Sequence, residues 1–300
     1  MFVFVTGATG FIGSRVVDEL LRAGHEVLGL TRSDVGAAAL AAKGARAHRG
    51  TLEDPDALCA GAAQCDAVIH LAFDHDFSNF VANCDKDKRV ITALGETLAG
   101  SARPLLITSG VGMGIPAHGQ LGVETVLNLE HPNPRIASEL AGAAVASSGV
   151  DVRVVRLPQV HDTNRFGLIT YAMDIAREKG ISAYVGDGSN RYSAVHVSDA
   201  ARLYRLALEK GAAGERYQPV AEEGVPMKDI AEAIGRVLRV PTESLSAEEA
   251  KAHFGWMAMF VSLDLPASSQ LTRERLDWHP TWPGLLDDLV RYGESSALDA

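Results

Sequence analysis

A short apolar run ending in three spaced glycines, an amphipathic stretch directly behind it, and further apolar runs alternating with 3.6-period segments predict an α/β fold. The expected architecture is a Rossmann-type doubly wound parallel sheet with a smaller C-terminal substrate lobe. The length of 300 residues suits one domain of about 200 residues plus such a lobe.

Strands are expected near residues 2–6, 26–31, 45–49, 66–72, 104–109 and 150–157. In the first helix Ile12, Val16 and Leu20, with Val17 and Leu21, form an apolar stripe. Gly24 supplies a left-handed stop before Glu26-Val27-Leu28-Gly29-Leu30, which completes a βαβ unit. Further helices are expected across 83–99 and from near Arg135. Beyond 157 the alternation decays, broken by the turn signals Val185-Gly186-Asp187-Gly188 and Glu222-Glu223-Gly224. Helices follow at 199–210, 226–239, 246–254 and 284–293. This divides the chain into a dinucleotide-binding domain over 1–157, to which 194–212 returns, and a smaller lobe drawn mainly from 158–300.

An apolar fraction of 47% and a charged fraction of 22% imply a packed core. A net charge of −10 argues against a nucleic-acid partner, because such binding needs many phosphate-neutralising cations. The run Lys86-Asp87-Lys88-Arg89 is too brief and mixed to reverse that. Cys59, Cys65 and Cys84 have neither C-x-x-C nor metal spacing, which points to a reducing cytoplasm and to no metal site. The chain opens on strand-like Phe2-Val3-Phe4-Val5 rather than a basic, cleavable leader, and no run approaches the ~20 apolar residues of a bilayer span. A soluble protein without a membrane partner is expected.

Gly7-Ala8-Thr9-Gly10-Phe11-Ile12-Gly13 places each glycine where a dinucleotide diphosphate needs it. Gly7 makes the tight turn, Gly10 admits the diphosphate to the backbone, and Gly13 lets helix pack on strand. The helix start adds free N–H groups and a positive dipole end, with Thr9, Phe11 and Ile12 in the same seat. An NAD enzyme carries Asp or Glu at the end of the second strand to hold the ribose 2′-hydroxyl. Here the residues are Thr31-Arg32-Ser33, which suit a 2′-phosphate, so NADP(H) is favoured. Asp34, one step on, keeps NAD(H) open.

Several stretches together resemble the extended and atypical short-chain dehydrogenase/reductase superfamily over most of the chain. They are Thr6 to Gly13, Gly50-Thr51-Leu52-Glu53-Asp54, Asp66-Ala67-Val68-Ile69-His70-Leu71-Ala72, Leu106-Ile107-Thr108-Ser109, Arg191 to Ala200 and Leu276-Asp277-Trp278-His279-Pro280. The resemblance implies that Thr51 and Leu52 lie at the adenine turn. It also implies that Leu71, Ala72, Phe73, Thr108, Pro158 and Val160 bind the cofactor. Members usually carry Y-x-x-x-K on a helix, Tyr as proton donor and Lys depressing its pKa while holding the ribose. In this chain Arg135-Ile136-Ala137-Ser138-Glu139 aligns there, with Arg135 at the tyrosine position and Glu139 at the lysine position. No tyrosine here has Lys four residues later, so the chain is similar to an epimerase/dehydratase-like subgroup without that pair. The helix across 83–99 and the one near Arg135 resemble those of a family dimer, which implies a homodimer.

Ser109, Arg135 and His161 are the catalytic candidates. Ser109 ends the fifth strand and either hydrogen-bonds a substrate carbonyl or caps local backbone. His161 and Asp162 follow the sixth strand; the imidazole suits a general acid, or is simply packed or solvated. Arg135 keeps its proton, so it stabilises a developing alkoxide, binds a substrate anion, or pairs along its helix. Glu139 either accepts from ribose hydroxyls or pairs with Arg135 one turn away. Tyr171 and Tyr192 are the remaining candidate phenols, His70 reads as packed, and His118 lies in a Gly- and Pro-containing segment, 111–134, that reads as a lid or substrate loop. The leading expectation is an NADP(H)-dependent oxidoreductase acting on a small carbonyl, imine or sugar-like substrate. A non-catalytic NADP(H)-binding sensor and an epimerase or dehydratase are the alternatives.

Overall fold

Side-chain alternation along the first strand sets the layering in the computed structural model, which describes residues 1–298. In β1 (Phe2–Thr6), Val3 and Val5 enter one apolar core and Phe4 enters another on the opposite face. β2 (Glu26–Thr31), β3 (Arg46–Arg49), β4 (Ala67–His70), β5 (Leu105–Gly110) and β6 (Val152–Leu157) extend a parallel sheet from it. After β7 (Gln159–His161), β8 (Ser182–Val185) and β9 (Arg191–His196), the chain returns as β10 (Arg216–Tyr217) to the far edge. The resulting order is β10-β6-β5-β4-β1-β2-β3. β11 (Glu222–Pro226) and β12 (Thr242–Leu245) join β9 and β8 in small separate sheets, β11-β9-β7 and β12-β8.

The helices are α1 (Phe11–Arg22), α2 (Asp34–Ala42), α3 (Pro55–Ala63), α4 (Phe80–Leu98), α5 (Ile136–Ser147), α6 (Leu168–Lys179), α7 (Val197–Lys210), α8 (Met227–Leu238), α9 (Ala247–Phe254), α10 (Ala258–Val261), α11 (Gln270–Leu276) and α12 (Leu285–Leu298). Val16, Val17 and Leu20 of α1 share a core with Leu203 and Tyr204 of α7. Leu58 of α3, Leu94 of α4 and Val145 of α5 fill the core on the other face. Gly24 sits at φ +83° and ends α1 as its sequence position implies. A further apolar core gathers Phe166, Met173, Tyr192, Ile230, Phe254 and Phe260 from the C-terminal elements.

All six expected strands form. β4 is shorter than the 66–72 run, because the Leu71 and Ala72 amides turn away to donate to Thr6 Oγ1. Two expectations need correction. Arg216–Tyr217, assigned to the smaller lobe, pairs with β6, and the Tyr217 hydroxyl accepts from the Ala212 amide at that edge. Glu222-Glu223-Gly224 is not a turn but the start of β11, with a register shift between Glu222 and Val225 that absorbs the glycine. Among the described residues no helix is long and apolar enough to cross a membrane.

Candidate active site

The strand order reverses between β1 and β4, whose last residues, Thr6 and His70, are register partners. Ligands of open α/β sheets sit outside the strand ends at such a reversal. Gly7 occupies it at φ +67°, and a Cβ there would lie 2.9 Å from the Ala72 nitrogen. A Cβ at Gly13 would lie 2.0 Å from the Gly7 carbonyl oxygen, so only glycine lets α1 approach the turn. Gly10 is the N-cap of α1 and brings no capping side chain, and the first turn has no acidic residue. The helix-start amides therefore stay available to an anion, and the bare backbone fits a dinucleotide diphosphate.

The other predicted cofactor residues lie on this turn, at the start of α1, or at and after the ends of strands. Thr9 is exposed on it and Phe11 and Ile12 open α1, half-buried. Thr31 is buried at the end of β2; Thr51 and Leu52 follow β3; Leu71, Ala72 and Phe73 follow β4. Half-buried Pro158 and buried Val160 lie at the β6–β7 junction. Arg32 is exposed and makes no ion pair with another described residue, whereas the Asp34 carboxylate lies 3.3 Å from Arg49.

From Thr6 a buried polar chain runs inward. Thr6 Oγ1 accepts from the Leu71 and Ala72 amides, both at 3.1 Å, so its own proton goes to His70 Nδ1 at 2.7 Å. His70 is thereby held with its proton on Nε2, which donates to Asp87 Oδ1 at 3.0 Å. The other oxygen of Asp87 accepts from Arg135 Nη1 at 2.5 Å and from Ser138 Oγ at 2.6 Å. Burial pushes the Asp87 carboxyl up, but Arg135 and the hydrogen bonds from His70 and Ser138 outweigh it and hold the group down at about 2. Arg135 also donates to Ser138 Oγ and, through Nη2, to the Thr108 carbonyl. Three of the five guanidinium N–H groups account for these bonds; Nε–H and one Nη2–H have no partner among the described residues.

Ser109 follows the same face. Leu105 and Ile107 of β5 pack in the core of α3, α4 and α5, so period-2 alternation turns Ser109 toward α5 as well. Its hydroxyl is buried and has no hydrogen-bond partner among the described residues. Local backbone capping, one of its two expected roles, is thus absent. Thr108 faces the other way, with its Oγ1 donating to the His70 carbonyl and meeting the Tyr204 hydroxyl at 2.8 Å.

Three expectations fail. Glu139 does not pair with Arg135 and does not offer free oxygens to a ribose. Both carboxylate oxygens are gripped by Arg156, at 2.8 Å each, and Arg216 adds a third contact at 3.0 Å. His161 is not a rim acid. It is fully buried with Nδ1 2.8 Å from Asp288, and burial lowers its pKa to about 4, leaving it neutral where an acid is needed. Tyr192 is also buried, donating to the Phe260 carbonyl at 2.5 Å, and burial raises its hydroxyl well above the ordinary range. Tyr171, by contrast, is partly exposed among aromatic side chains.

The 111–134 segment is pinned rather than loose. The Gly122 amide donates to the Pro266 carbonyl, and buried Glu124 accepts from the Thr272 amide and hydroxyl. His118 lines a cavity of about 500 Å³ with Asp187, Arg191 and Asp264.

Residues 3–101 match the model of the NAD dependent epimerase/dehydratase family. An uncharacterized protein of Schizosaccharomyces pombe is 49% identical over 291 residues, spanning 97% of this chain and 98% of its own length. Another from Saccharomyces cerevisiae is 42% identical over 292 residues, spanning 96% and 98%. The chain belongs to the NAD-dependent epimerase/dehydratase family, within the extended short-chain dehydrogenase/reductase superfamily. Among solved structures, a dTDP-glucose 4,6-dehydratase of Streptomyces venezuelae in complex with NAD superposes with a TM-score of 0.79. It covers 100% of this chain and 98% of its own, at 20% identity, a likeness of fold.

Against that family background, the residue missed in the sequence is Asp87. A signal was available: Cys84, Asp87, Ile91, Leu94 and Leu98 share one buried face of α4. A carboxylate in an apolar stripe needs a cationic or hydrogen-bonding partner, and Arg135 is that partner.

Proposed function

We propose that this epimerase/dehydratase-family chain is an NADP(H)-dependent oxidoreductase of small carbonyl compounds in which Arg135 takes over the stabilising part of the usual tyrosine. The observation that carries the reading is the Arg135 guanidinium, fixed by Asp87 with two N–H groups left over, on the sheet face toward which the unpartnered Ser109 hydroxyl points.

The nicotinamide, when bound, supplies or accepts the hydride. The side chains do the rest. Arg135 offers N–H groups to a carbonyl oxygen as it gains negative charge, a preorganised stabilisation of the oxyanion-hole kind. Its guanidinium retains its protons at ordinary pH, so it cannot complete the alcohol itself. The Ser109 hydroxyl is the unpartnered donor on the face toward Arg135 and orients the carbonyl, and the proton that completes the alcohol comes from solvent. Neither Glu139 nor His161 enters, the first bound to two arginines and the second sealed in the core.

The coenzyme preference rests on charge. Arg32 stands exposed beside Ser33 and Thr31, while Asp34 is drawn to Arg49 rather than to the ribose position. A 2′-phosphate would meet a cation there. A homodimer through α4 and α5 is part of the same reading, supported by exposed Leu140 on α5 and tested by light scattering on the eluting protein.

The direct experiment mixes purified protein with NADPH, and separately NADH, and a panel of aldehydes and ketones. Coenzyme oxidation that depends on the carbonyl supports the reading. Coenzyme binding with no turnover across the panel would instead leave a nucleotide-responsive binding protein.

A further inference from the structure

The wall next to Arg135 is aromatic. Its guanidinium carbon lies 3.9 Å from the centroid of the Phe73 ring. Phe73 meets Phe80 edge-on at 6.1 Å, and Phe80 meets Phe77 at 5.6 Å. Phe77 stacks on Trp256 at 4.8 Å with 9° between the rings, and Tyr171 closes the group 5.2 Å from Trp256. Three distant stretches build this wall: the segment after β4 leading into α4, the helix α6, and the turn between α9 and α10. It is not sealed, since Trp256 stays 45% exposed and Tyr171 38%. Large apolar rings held partly in water beside a polar centre are a surface awaiting an apolar group.

The polar cavity lined by His118, Asp187, Arg191 and Asp264 has the opposite character. Arg191 is the one arginine in its lining among the described residues, yet both oxygens of Asp264 already hold that guanidinium, at 3.0 and 2.8 Å. Asp187 adds a second carboxylate to the lining. A phosphate or diphosphate entering there would meet a cation already neutralised by Asp264 and, in Asp187, an uncompensated carboxylate.

We infer that the substrate is an aryl or other bulky apolar aldehyde or ketone, and not a phosphorylated or nucleotide-linked sugar. Its carbonyl oxygen lies at Arg135 and its apolar body lies along Phe77 and Trp256. The inference rests on the oxidoreductase reading above. A hydroxylated chain of similar size would give up hydration against these rings and gain little in return.

The test compares kcat/KM, with NADPH, for benzaldehyde, glyceraldehyde and glyceraldehyde 3-phosphate. Benzaldehyde is expected to lead glyceraldehyde by about tenfold or more, the span one apolar pocket group provides. Trp256→Ala is expected to erase most of that ratio and Trp256→Phe to keep it, with NADPH affinity unchanged in both. Trp256 is half out of the core, so its truncation should leave the fold intact; Phe77→Ala serves as the independent second variant. A lead for glyceraldehyde or its phosphate, or a ratio indifferent to Trp256→Ala and Phe77→Ala, overturns the inference while the oxidoreductase reading stands. NADPH binding with none of the three, nor a wider carbonyl panel, turned over overturns both.

Discussion

Arg135 Nη1 sits 2.5 Å from Asp87 Oδ2, and the other oxygen of the same carboxylate accepts a hydrogen bond from His70, which itself is held by Thr6 beside the glycine turn. One buried aspartate therefore ties the guanidinium at the tyrosine position to the strand that ends in the coenzyme cradle. Removing it would strand a buried cation and an imidazole N–H together. Asp87→Ala is expected to lower stability by about 3–5 kcal/mol in urea unfolding. A loss below about 1 kcal/mol would mean the ion pair is only a surface-grade contact.

The position after Ser138 resists repair toward the common family pattern. Changing Arg135→Tyr and Glu139→Lys together would put an ammonium against Arg156 and Arg216, which now share one carboxylate. Three cations in that space should cost about 3–5 kcal/mol or more, so the double variant is expected to precipitate or melt early rather than gain activity. Calorimetry on the single Glu139→Lys chain checks this, and a melting temperature equal to the parent's contradicts it.

His161 makes stability pH-dependent in a definite direction. Its folded pKa is about 4 against an ordinary value of 6.5, so between those values the unfolded chain binds a proton that the native chain refuses. The contribution is complete above about pH 6.5 and disappears as pH falls to about 4, up to roughly 3 kcal/mol. Unfolding free energies measured across this interval should fall toward acid, and His161→Phe should flatten that segment of the curve. A curve of unchanged slope in the variant would show that other groups produce it.

The proposed coenzyme preference puts Arg32 at the ribose 2′-phosphate, which can be checked directly. A charge-assisted bond to the 2′-phosphate is worth about 1.5–3 kcal/mol, so Arg32→Glu should weaken NADPH binding by about tenfold or more. NADH affinity should change little. Equal losses for both coenzymes would place Arg32 outside the phosphate pocket.

How much of this was readable beforehand depended on how far apart the partners lie. The glycine turn was legible because its demands are local: Gly7 needs a positive φ and Gly13 needs no side chain, and both follow from spacing alone. The strands were legible for the same reason, since Val3, Phe4 and Val5 form the short continuous apolar run of a strand buried on both faces. Glu139 was misread because its arginines lie 17 and 77 residues away, beyond any helical rule. His161 was misread because a histidine's titration follows its burial, and burial here comes from α12, more than a hundred residues later, where Asp288 meets it. The aromatic wall was invisible for a like reason, assembled from rings that only the folded chain brings together.

The most direct measurement is kcat/KM for NADPH-dependent carbonyl reduction in Arg135→Met beside the parent, with NADPH dissociation constants determined on both. If Arg135 carries the developing oxyanion, kcat/KM should fall by about a hundredfold or more while NADPH affinity holds, the usual loss for one oxyanion donor. Unchanged kcat/KM in the variant would contradict that role, and failure of the parent itself to bind NADPH or NADH would contradict the coenzyme site on which it depends.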